Sequence, residues 1–231
     1  MLSLLQKLKV LYEDNHIIIV AKQAGEIVQG DKTGDTPLSD MVKAYIKERY
    51  AKPGEVFLGV VHRLDRPVSG VVVFARTSKA LTRLNAMFAT QGVHKTYWAL
   101  VQNAPRESKA MLTHYIVRNE QKNKSFAYDH ERPGAKKAVL DYEVIGHSDR
   151  YHLVEVHLHT GRHHQIRCQL AAIGCPIRGD LKYGAPRSNP DGSISLHARS
   201  ISFEHPVSHK QINVEAPLPT EGPWQGIRGE G

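Results

Sequence analysis

The chain has 231 residues, 41% of them hydrophobic, and its 31 Lys and Arg against 23 Asp and Glu give a formal net charge of +8 with neutral histidines. Two cysteines and the lack of a long apolar run argue against a disulfide framework, a secretory leader and a membrane span, so we expect a reducing, intracellular, cytoplasmic compartment. The positive balance suits a nucleic-acid partner, but it equally suits a protein that merely has a high isoelectric point.

The first half of the chain predicts short buried strands that alternate with two amphipathic helices. Runs rich in β-branched residues predict strands over His16 to Ala21 and Val71 to Ala75, and a further strand is predicted over Tyr97 to Val101. Apolar residues at helical spacing predict a helix over Thr36 to Tyr50. A second helix carries Leu81, Leu84 and Phe88 on one face, with Thr77 or Ser78 as its cap and Gly92 as its stop.

The second half predicts longer strands and one more helix. Asn119 to Lys137 is polar and predicts a loop or hairpin extension, followed by paired strands over Val139 to Ile145 and Tyr151 to His159. Ile166, Leu170 and Ile173 share a helical face that ends at Gly174. The closing strands are predicted over Leu196 to Phe203 and Ile212 to Val214.

These elements predict an α+β fold with a central mixed, largely antiparallel sheet and flanking helices. Strict alternation of strands and helices is missing, which argues against a doubly wound fold. We expect a single domain over 1–231, with a core of about 10–216 and a Pro/Gly-rich tail over 217–231 that is loosely ordered.

The stretch VHRLDRPVSG, residues 61 to 70, places a carboxylate inside an apolar run. In an extended segment Arg63 and Asp65 can share one side, and Arg66 adds a second guanidinium close by. A carboxylate beside guanidiniums stays ionised at neutral pH and suits a nucleophile or a general base. Taken alone, this stretch favours a structural ion pair instead, because such pairs are common.

The stretch HLHTGRHHQIR, residues 157 to 167, combines histidines with arginines at a predicted helix start. His157 and His159 would face one way on a strand and could be a metal pair. Arg162 and Arg167 would repel a cation, so a phosphate or carboxylate site is the better interpretation. In HKTYW, Tyr97 and Trp98 point to opposite faces of a strand. One of the two could stack on an unpaired base, although plain sheet aromatics are as compatible with the pattern.

In their order, these motifs strongly resemble the RluA-type family of pseudouridine synthases. The resemblance rests on VLYEDNHIIIVAKQAG, VHRLDRPVSG, VVVFARTSKAL, HKTYWALV, HTGRHHQIRCQLAAIGCPIRGDLKYG and LHARSISFEHP, and it covers about Val10 to Ala216. It departs from the family pattern at Gln23, where proline is usual, and at Val68 and His163, where threonine is common. These departures concern loop geometry rather than the four site residues named next.

The resemblance implies an enzyme that detaches uracil from its ribose in RNA, turns it and rejoins it through carbon, with no metal and no organic cofactor. It implies that Asp65 is the catalytic aspartate, that Tyr97 lies against the target base, that Arg167 pairs with the aspartate, and that Arg63 supports the flipped nucleotide. Its expected partner is ribosomal or transfer RNA. We expect the protein to be a monomer that does not associate with membranes. Base extrusion costs a few kcal/mol, which contacts with phosphates can offset.

Two other hypotheses stay open from the residues. The chain could be a non-catalytic RNA-binding or ribosome-assembly factor on the same fold, although a pure binder has no need of Asp65, Tyr97 and Arg167 together. It could also be a metal-dependent hydrolase built on its histidines. Many relatives carry a small RNA-binding domain before the catalytic one, and we expect the catalytic domain here without that appendage.

Overall fold

The computed structural model describes residues 8–220, 222–225 and 228–229. Its strands are β1 (Lys9–Glu13), β2 (Ile17–Lys22), β3 (Gly59–Val60), β4 (Ser69–Ala75), β5 (Val93–Val101), β6 (Lys109–Asn119), β7 (Lys124–Tyr128), β8 (Lys136–His147), β9 (His152–Leu158), β10 (Leu196–Glu204), β11 (Gln211–Glu215) and β12 (Arg228–Gly229). Its α-helices are α1 (Leu38–Arg49), α2 (Ser78–Ala89) and α3 (Gln165–Ala172).

The chain divides into two compact units. The first contains the described residues up to His94 together with Ala198–Pro217, and the second contains Lys95–His197 with the described residues from Leu218 onward. This division does not test the single domain expected over 1–231, which stays a prediction.

The first unit is a sheet with the strand order β1-β2-β4-β10, in which β3 lies beside β4 and β11 beside β10. The pairs β1–β2, β2–β4, β3–β4 and β10–β11 are antiparallel. Every residue of β2 and β4 is buried, as the continuous β-branched runs predict. Helix α2 contributes the buried side chains Ala80 and Leu84 to this core, and it begins where the Thr77 hydroxyl accepts a hydrogen bond from the Ala80 amide at 3.2 Å.

Gly70 allows β4 to approach β10 closely. Its φ is +124°, and a Cβ at this position would lie 2.3 Å from the carbonyl oxygen and 2.5 Å from the amide nitrogen of Ala198. Only glycine fits such a backbone contact. Gly70 therefore fixes the place where the HRLD loop enters the sheet.

The second unit is an antiparallel sheet with the order β5-β9-β8-β6-β7, and β12 also pairs with β8. The predicted hairpin extension is confirmed as β6, β7 and the start of β8, and β8 pairs with β9 as predicted. Helix α3 ends before Gly174, whose φ is +78°. The α+β class and the largely antiparallel sheet are thus confirmed.

Two apolar clusters hold the second unit together. One contains Ile116, Ala138, Cys168 and Tyr183. The other contains Leu100, Leu153 and Trp224, with Trp98 packed against it. Trp224 lies in the segment expected to be a loose tail, where it is buried within a short 3₁₀ turn. Tail residues 221, 226–227 and 230–231 lie outside the described residues.

Across the described part of the chain, no helix has the length and apolar character needed to cross a bilayer.

Candidate active site

Asp65 lies in a loop between β3 and β4 that has no regular strand pairing of its own. Leu64 beside it is buried, Asp65 is half-buried and Arg63 is exposed. The loop turns back at Arg66 and Pro67, where the Val68 amide donates to the Asp65 carbonyl at 3.0 Å. The turn places one carboxylate at the edge of a fully buried strand.

The loop is held by a buried lysine that the sequence analysis missed. Lys22, at the end of β2, is 1% exposed. Its three N–H donors lie within hydrogen-bond distance of four backbone carbonyl oxygens, those of Gln23 at 3.0 Å, Asp65 at 3.3 Å, Arg66 at 3.1 Å and Val68 at 2.6 Å, so one donor is shared. Burial lowers the pKa of Lys22 to about 8, while the Asp65 carboxylate acts in the opposite direction. The sequence feature that could have identified Lys22 is its position at the end of the otherwise apolar run IIIVAK.

The second arginine of the motif points to a different loop. Arg66 donates to the Asp35 carboxylate at 2.7 Å and to the Thr33 hydroxyl at 2.8 Å. Its Nη2 also lies 3.6 Å from the carboxylate of Asp31. Arg66 thus connects the Asp65 loop to residues 31–35.

His62 at the start of the motif has a structural role. Its Nε2 accepts from the Val73 amide at 3.0 Å, and its ring stacks on Phe88 with a centroid distance of 4.8 Å. Because an Nε2 that accepts a hydrogen bond carries no proton, His62 is the neutral tautomer with hydrogen on Nδ1.

The two aromatic residues of HKTYW have different surroundings in β5. Tyr97 is buried, with 8% of its surface exposed. Trp98 is half-buried, and its indole N–H donates to the Glu155 carboxylate on β9 at 2.9 Å. Trp98 is therefore used in cross-strand pairing, which leaves Tyr97 as the candidate base contact.

Arg167 is fixed by a carboxylate that the sequence analysis did not assign to it. In the first turns of α3 its Nε and Nη2 donate to the two carboxylate oxygens of Asp180 at 2.7 and 2.9 Å. The side chains are only 6% and 1% exposed. Tyr183 lies under the guanidinium at 5.1 Å. Such a two-pronged contact fixes the plane of the guanidinium.

The histidines of the second motif form hydrogen bonds within the protein. His163 and His164 stack with ring centroids 3.8 Å apart, and His164 Nδ1 lies 2.8 Å from the Tyr183 hydroxyl. His157 and His159 each lie beside a carboxylate, Glu155 at 3.2 Å and Asp141 at 2.5 Å. Among the described residues, no three or more His, Cys, Asp or Glu side chains are grouped to hold a metal ion. Nothing in this geometry favours the metal-dependent hydrolase.

Of the four predicted site residues, Arg63 and Asp65 belong to the first unit and Tyr97 and Arg167 to the second. Arg63 and Asp65 share the loop before β4, Tyr97 lies on β5 and Arg167 lies on α3.

Comparisons with known proteins agree with these motifs. The family model for RNA pseudouridylate synthases matches residues 16–172. The chain is 33% identical over 218 residues to "Uncharacterized RNA pseudouridine synthase YhcT" of Bacillus subtilis, covering 93% of this chain and 70% of that protein. It is also 33% identical over 227 residues to "Ribosomal large subunit pseudouridine synthase D" of Xanthomonas campestris, covering 93% of this chain and 67% of that one.

Solved structures share the fold. The human "RNA Pseudouridylate Synthase Domain Containing 4" superposes with a TM-score of 0.77 at 26% identity, covering 94% of this chain and 90% of that one. The human "RNA Pseudouridylate Synthase Domain Containing 1" has a TM-score of 0.73 at 24% identity and covers 93% and 85% of the two chains.

Proposed function

Since the chain belongs to the RluA-type family of RNA pseudouridine synthases, which isomerise uridine to pseudouridine in RNA, we propose that Asp65 is the catalytic residue and that the substrate is a structured RNA. The observation that supports this most is the anchoring of the Asp65 loop. The buried Lys22 ammonium bonds to the carbonyl of Asp65 itself and to that of Val68 beyond it. A carboxylate carried on an anchored backbone is what a positioned nucleophile or general base requires.

The conversion is a rearrangement within one nucleotide. The bond from ribose C1′ to uracil N1 breaks, and a bond from C1′ to uracil C5 forms. The proton on C5 leaves and N1 gains one, so the step balances without an oxidant, a reductant or an added group. The carboxylate of Asp65 serves either as the nucleophile or as the base in this sequence.

The other three residues bind the substrate in this proposal. Arg63 is exposed beside Asp65 and supports the flipped nucleotide through its charge. Tyr97 lies against the target base, as aromatic side chains do with unstacked bases. Arg167, whose plane Asp180 fixes, is the basic residue that the family resemblance pairs with the aspartate.

Large-subunit ribosomal RNA is the first candidate substrate, since a relative at 33% identity is named for it, and transfer RNA is the second. The enzyme acts in the cytoplasm as a monomer, needs no cofactor and reaches both RNAs there. Light scattering of the purified chain, of mass 25.9 kDa, tests the monomer.

The test is to map pseudouridine in total RNA from cells with and without the gene. One or more sites should disappear in the deletion strain and return with the wild-type gene. Asp65→Asn should fail to restore them, whereas the exposed Asp40→Asn, which removes the same charge, should restore them fully. An unchanged pseudouridine map in the deletion strain would overturn the proposal.

The non-catalytic RNA-binding or assembly factor is not favoured. For such a factor, the wild-type protein would bind RNA and modify none.

A further inference from the structure

The second unit contains two adjoining cavities away from the proposed site residues. They measure about 1110 and 510 Å³, and both are lined by Asp149, Arg150, Tyr151 and Arg178. Arg187 and Pro190 complete the wall of the larger one. The larger volume lies slightly above the range of about 300–1,000 Å³ that is usual for ligand sites in proteins.

The charge of the larger cavity is positive. Its lining has three arginines and one carboxylate, that of Asp149. Arg150 and Arg187 are exposed, and neither guanidinium makes a hydrogen bond or ion pair with the described residues. Two unpaired guanidiniums at one opening suit an anion with several oxygen atoms, such as a phosphodiester.

The third arginine, Arg178, differs from the other two because its guanidinium is stacked on an aromatic ring. The Arg178 guanidinium lies over the Tyr151 ring, 4.7 Å from its centroid. Its Nη1 is buried and has no hydrogen-bond partner among the described residues. It also acts electrostatically on the Asp191 carboxylate. Unpaired bases stack on arginine planes of this kind.

The wall of the larger cavity is formed before any ligand arrives. Gly179 has φ +86°, and a Cβ there would lie 2.7 Å from the Ser193 carbonyl oxygen and 2.8 Å from the Asn189 side chain. Asn189 is buried and donates to the hydroxyls of Ser193 and Ser195 at 3.2 Å. The backbone of Arg178 is bonded on both sides, its amide to the Leu100 carbonyl at 2.8 Å and its carbonyl to the Ser195 amide at 2.9 Å.

The cavity is separate from the target-base contact, but its wall shares a turn with Asp180, the carboxylate that holds Arg167. Gln102, on its wall, follows β5 and is five residues beyond Tyr97, or about 17 Å along an extended strand. Arg178 is two residues before Asp180, the carboxylate that fixes Arg167. One turn therefore carries both the cavity wall and a support of the proposed active site.

We propose that this cavity is an accessory RNA subsite, taking a phosphodiester on Arg150 and Arg187 and an adjacent unpaired base on Arg178. The subsite takes a nucleotide outside the target uridine and contributes to substrate choice. This inference rests on the proposed function, since it assumes that RNA is the substrate.

The test compares two doubly substituted proteins of equal charge. Arg150→Gln with Arg187→Gln changes the cavity, and Lys79→Gln with Lys210→Gln removes two exposed charges from the first unit. The probe is a fluorescein-labelled single-stranded oligouridylate of 20 nucleotides, titrated by anisotropy over a range of KCl concentrations. The cavity pair should weaken binding at least fivefold and lower the slope of log K against log[KCl] by about 0.7, the value for one phosphate on a single strand. The control pair should change affinity less than twofold.

Stacking is tested at the tyrosine that supports the Arg178 plane. Tyr151→Leu keeps an apolar side chain but removes the ring, and we expect binding about fivefold weaker. Tyr151→Phe keeps the ring and should bind within twofold of the wild type. Thermal unfolding of each variant shows whether the fold is intact.

Equal affinities and salt slopes for the two double variants would overturn the phosphate contact, and equal affinities for Tyr151→Leu and Tyr151→Phe would overturn the stacking contact. The readout is binding, so it is separate from catalysis. Release of tritium from RNA labelled at uridine C5 reports the isomerisation itself. Wild-type protein that binds the probe through the cavity but releases no tritium would refute the proposed function alone.

Discussion

Replacing Lys22 by methionine removes the ammonium that holds the Asp65 loop and keeps an unbranched side chain of similar length. Three of its four carbonyl partners keep a second donor. The Asp65 carbonyl accepts from Val68 at 3.0 Å, that of Arg66 from Gly25 at 2.8 Å and that of Gln23 from Glu26 at 3.4 Å. The Val68 carbonyl loses its bond to Lys22, which is the shortest of the four and fully buried.

The expected loss of stability is the difference of two opposing contributions. Leaving the Val68 carbonyl without Lys22 and weakening the other three bonds costs about 5 kcal/mol in total. Burial lowers the pKa of Lys22 from 10.5 to about 8, and removing the charge at neutral pH regains roughly 3 kcal/mol of that desolvation. We therefore expect Lys22→Met to lower the free energy of unfolding by about 2 kcal/mol and the Tm by roughly 4–8 °C.

Calorimetry measures this change, with Lys9→Met as the matched control because Lys9 is an exposed lysine on neighbouring β1. Tritium release should fall about 100-fold in Lys22→Met under conditions where the protein is folded, since a displaced carboxylate loses its reacting geometry. A Tm within about 1 °C of wild type, with full activity, would refute the assignment of Lys22 as the anchor of the loop.

The same residue predicts a pH dependence with a defined sign. Between about pH 8 and 10.5 the native state has released a proton that the unfolded chain still holds. The free energy of unfolding therefore rises with pH over this range: the added stability is fully present above pH 10.5 and is lost as the pH falls through about 8, which leaves the smaller net contribution of the hydrogen bonds at neutral pH. An NMR titration of the Lys22 side chain should give a midpoint near 8, and a midpoint above 10 would contradict the burial argument.

Two other substitutions test the framework around the site. Asp180→Asn leaves the Arg167 guanidinium buried without its carboxylate, and we expect a loss of about 3–5 kcal/mol by thermal unfolding. A loss below about 1 kcal/mol would show that this pair is not needed for stability. Gly70→Ala forces a Cβ into the Ala198 backbone and should cost more than about 2 kcal/mol, whereas Gly30→Ala, where nothing lies within 4 Å, should be nearly neutral. Equal Tm values for the two glycine variants would contradict the close approach of β4 and β10.

Local patterns were sufficient to predict much of the fold. The β-branched runs predict β2 and β4 because strands buried on both faces need apolar residues throughout. Thr77 was one of the two predicted caps of α2, and the hairpin extension follows from a polar stretch between strands. These features are determined by residues that lie close together in the sequence, so local patterns are enough to predict them.

The contacts that build the candidate site depend on partners far along the chain. Lys22 and Asp65 are 43 residues apart, and the carboxylate that fixes Arg167 is 13 residues beyond it. A charge pattern cannot distinguish the arginine that turns away, as Arg66 does towards Asp35, from one that stays beside Asp65. Only the resemblance to a family singled out Asp65, Tyr97 and Arg167 as a set, and their roles stay predictions.

The position of the two tryptophans determines what a fluorescence experiment can see. Trp98 and Trp224 are the only tryptophans of the chain, and both pack in one cluster of the second unit. Indole emission therefore follows the second unit, and it does not report directly on the first, where Lys22 and Gly70 lie. Circular dichroism, recorded on the same sample, follows strands and helices of both units. Coincident melting by the two signals would indicate that 1–231 unfolds as one cooperative domain, and separate transitions would indicate two.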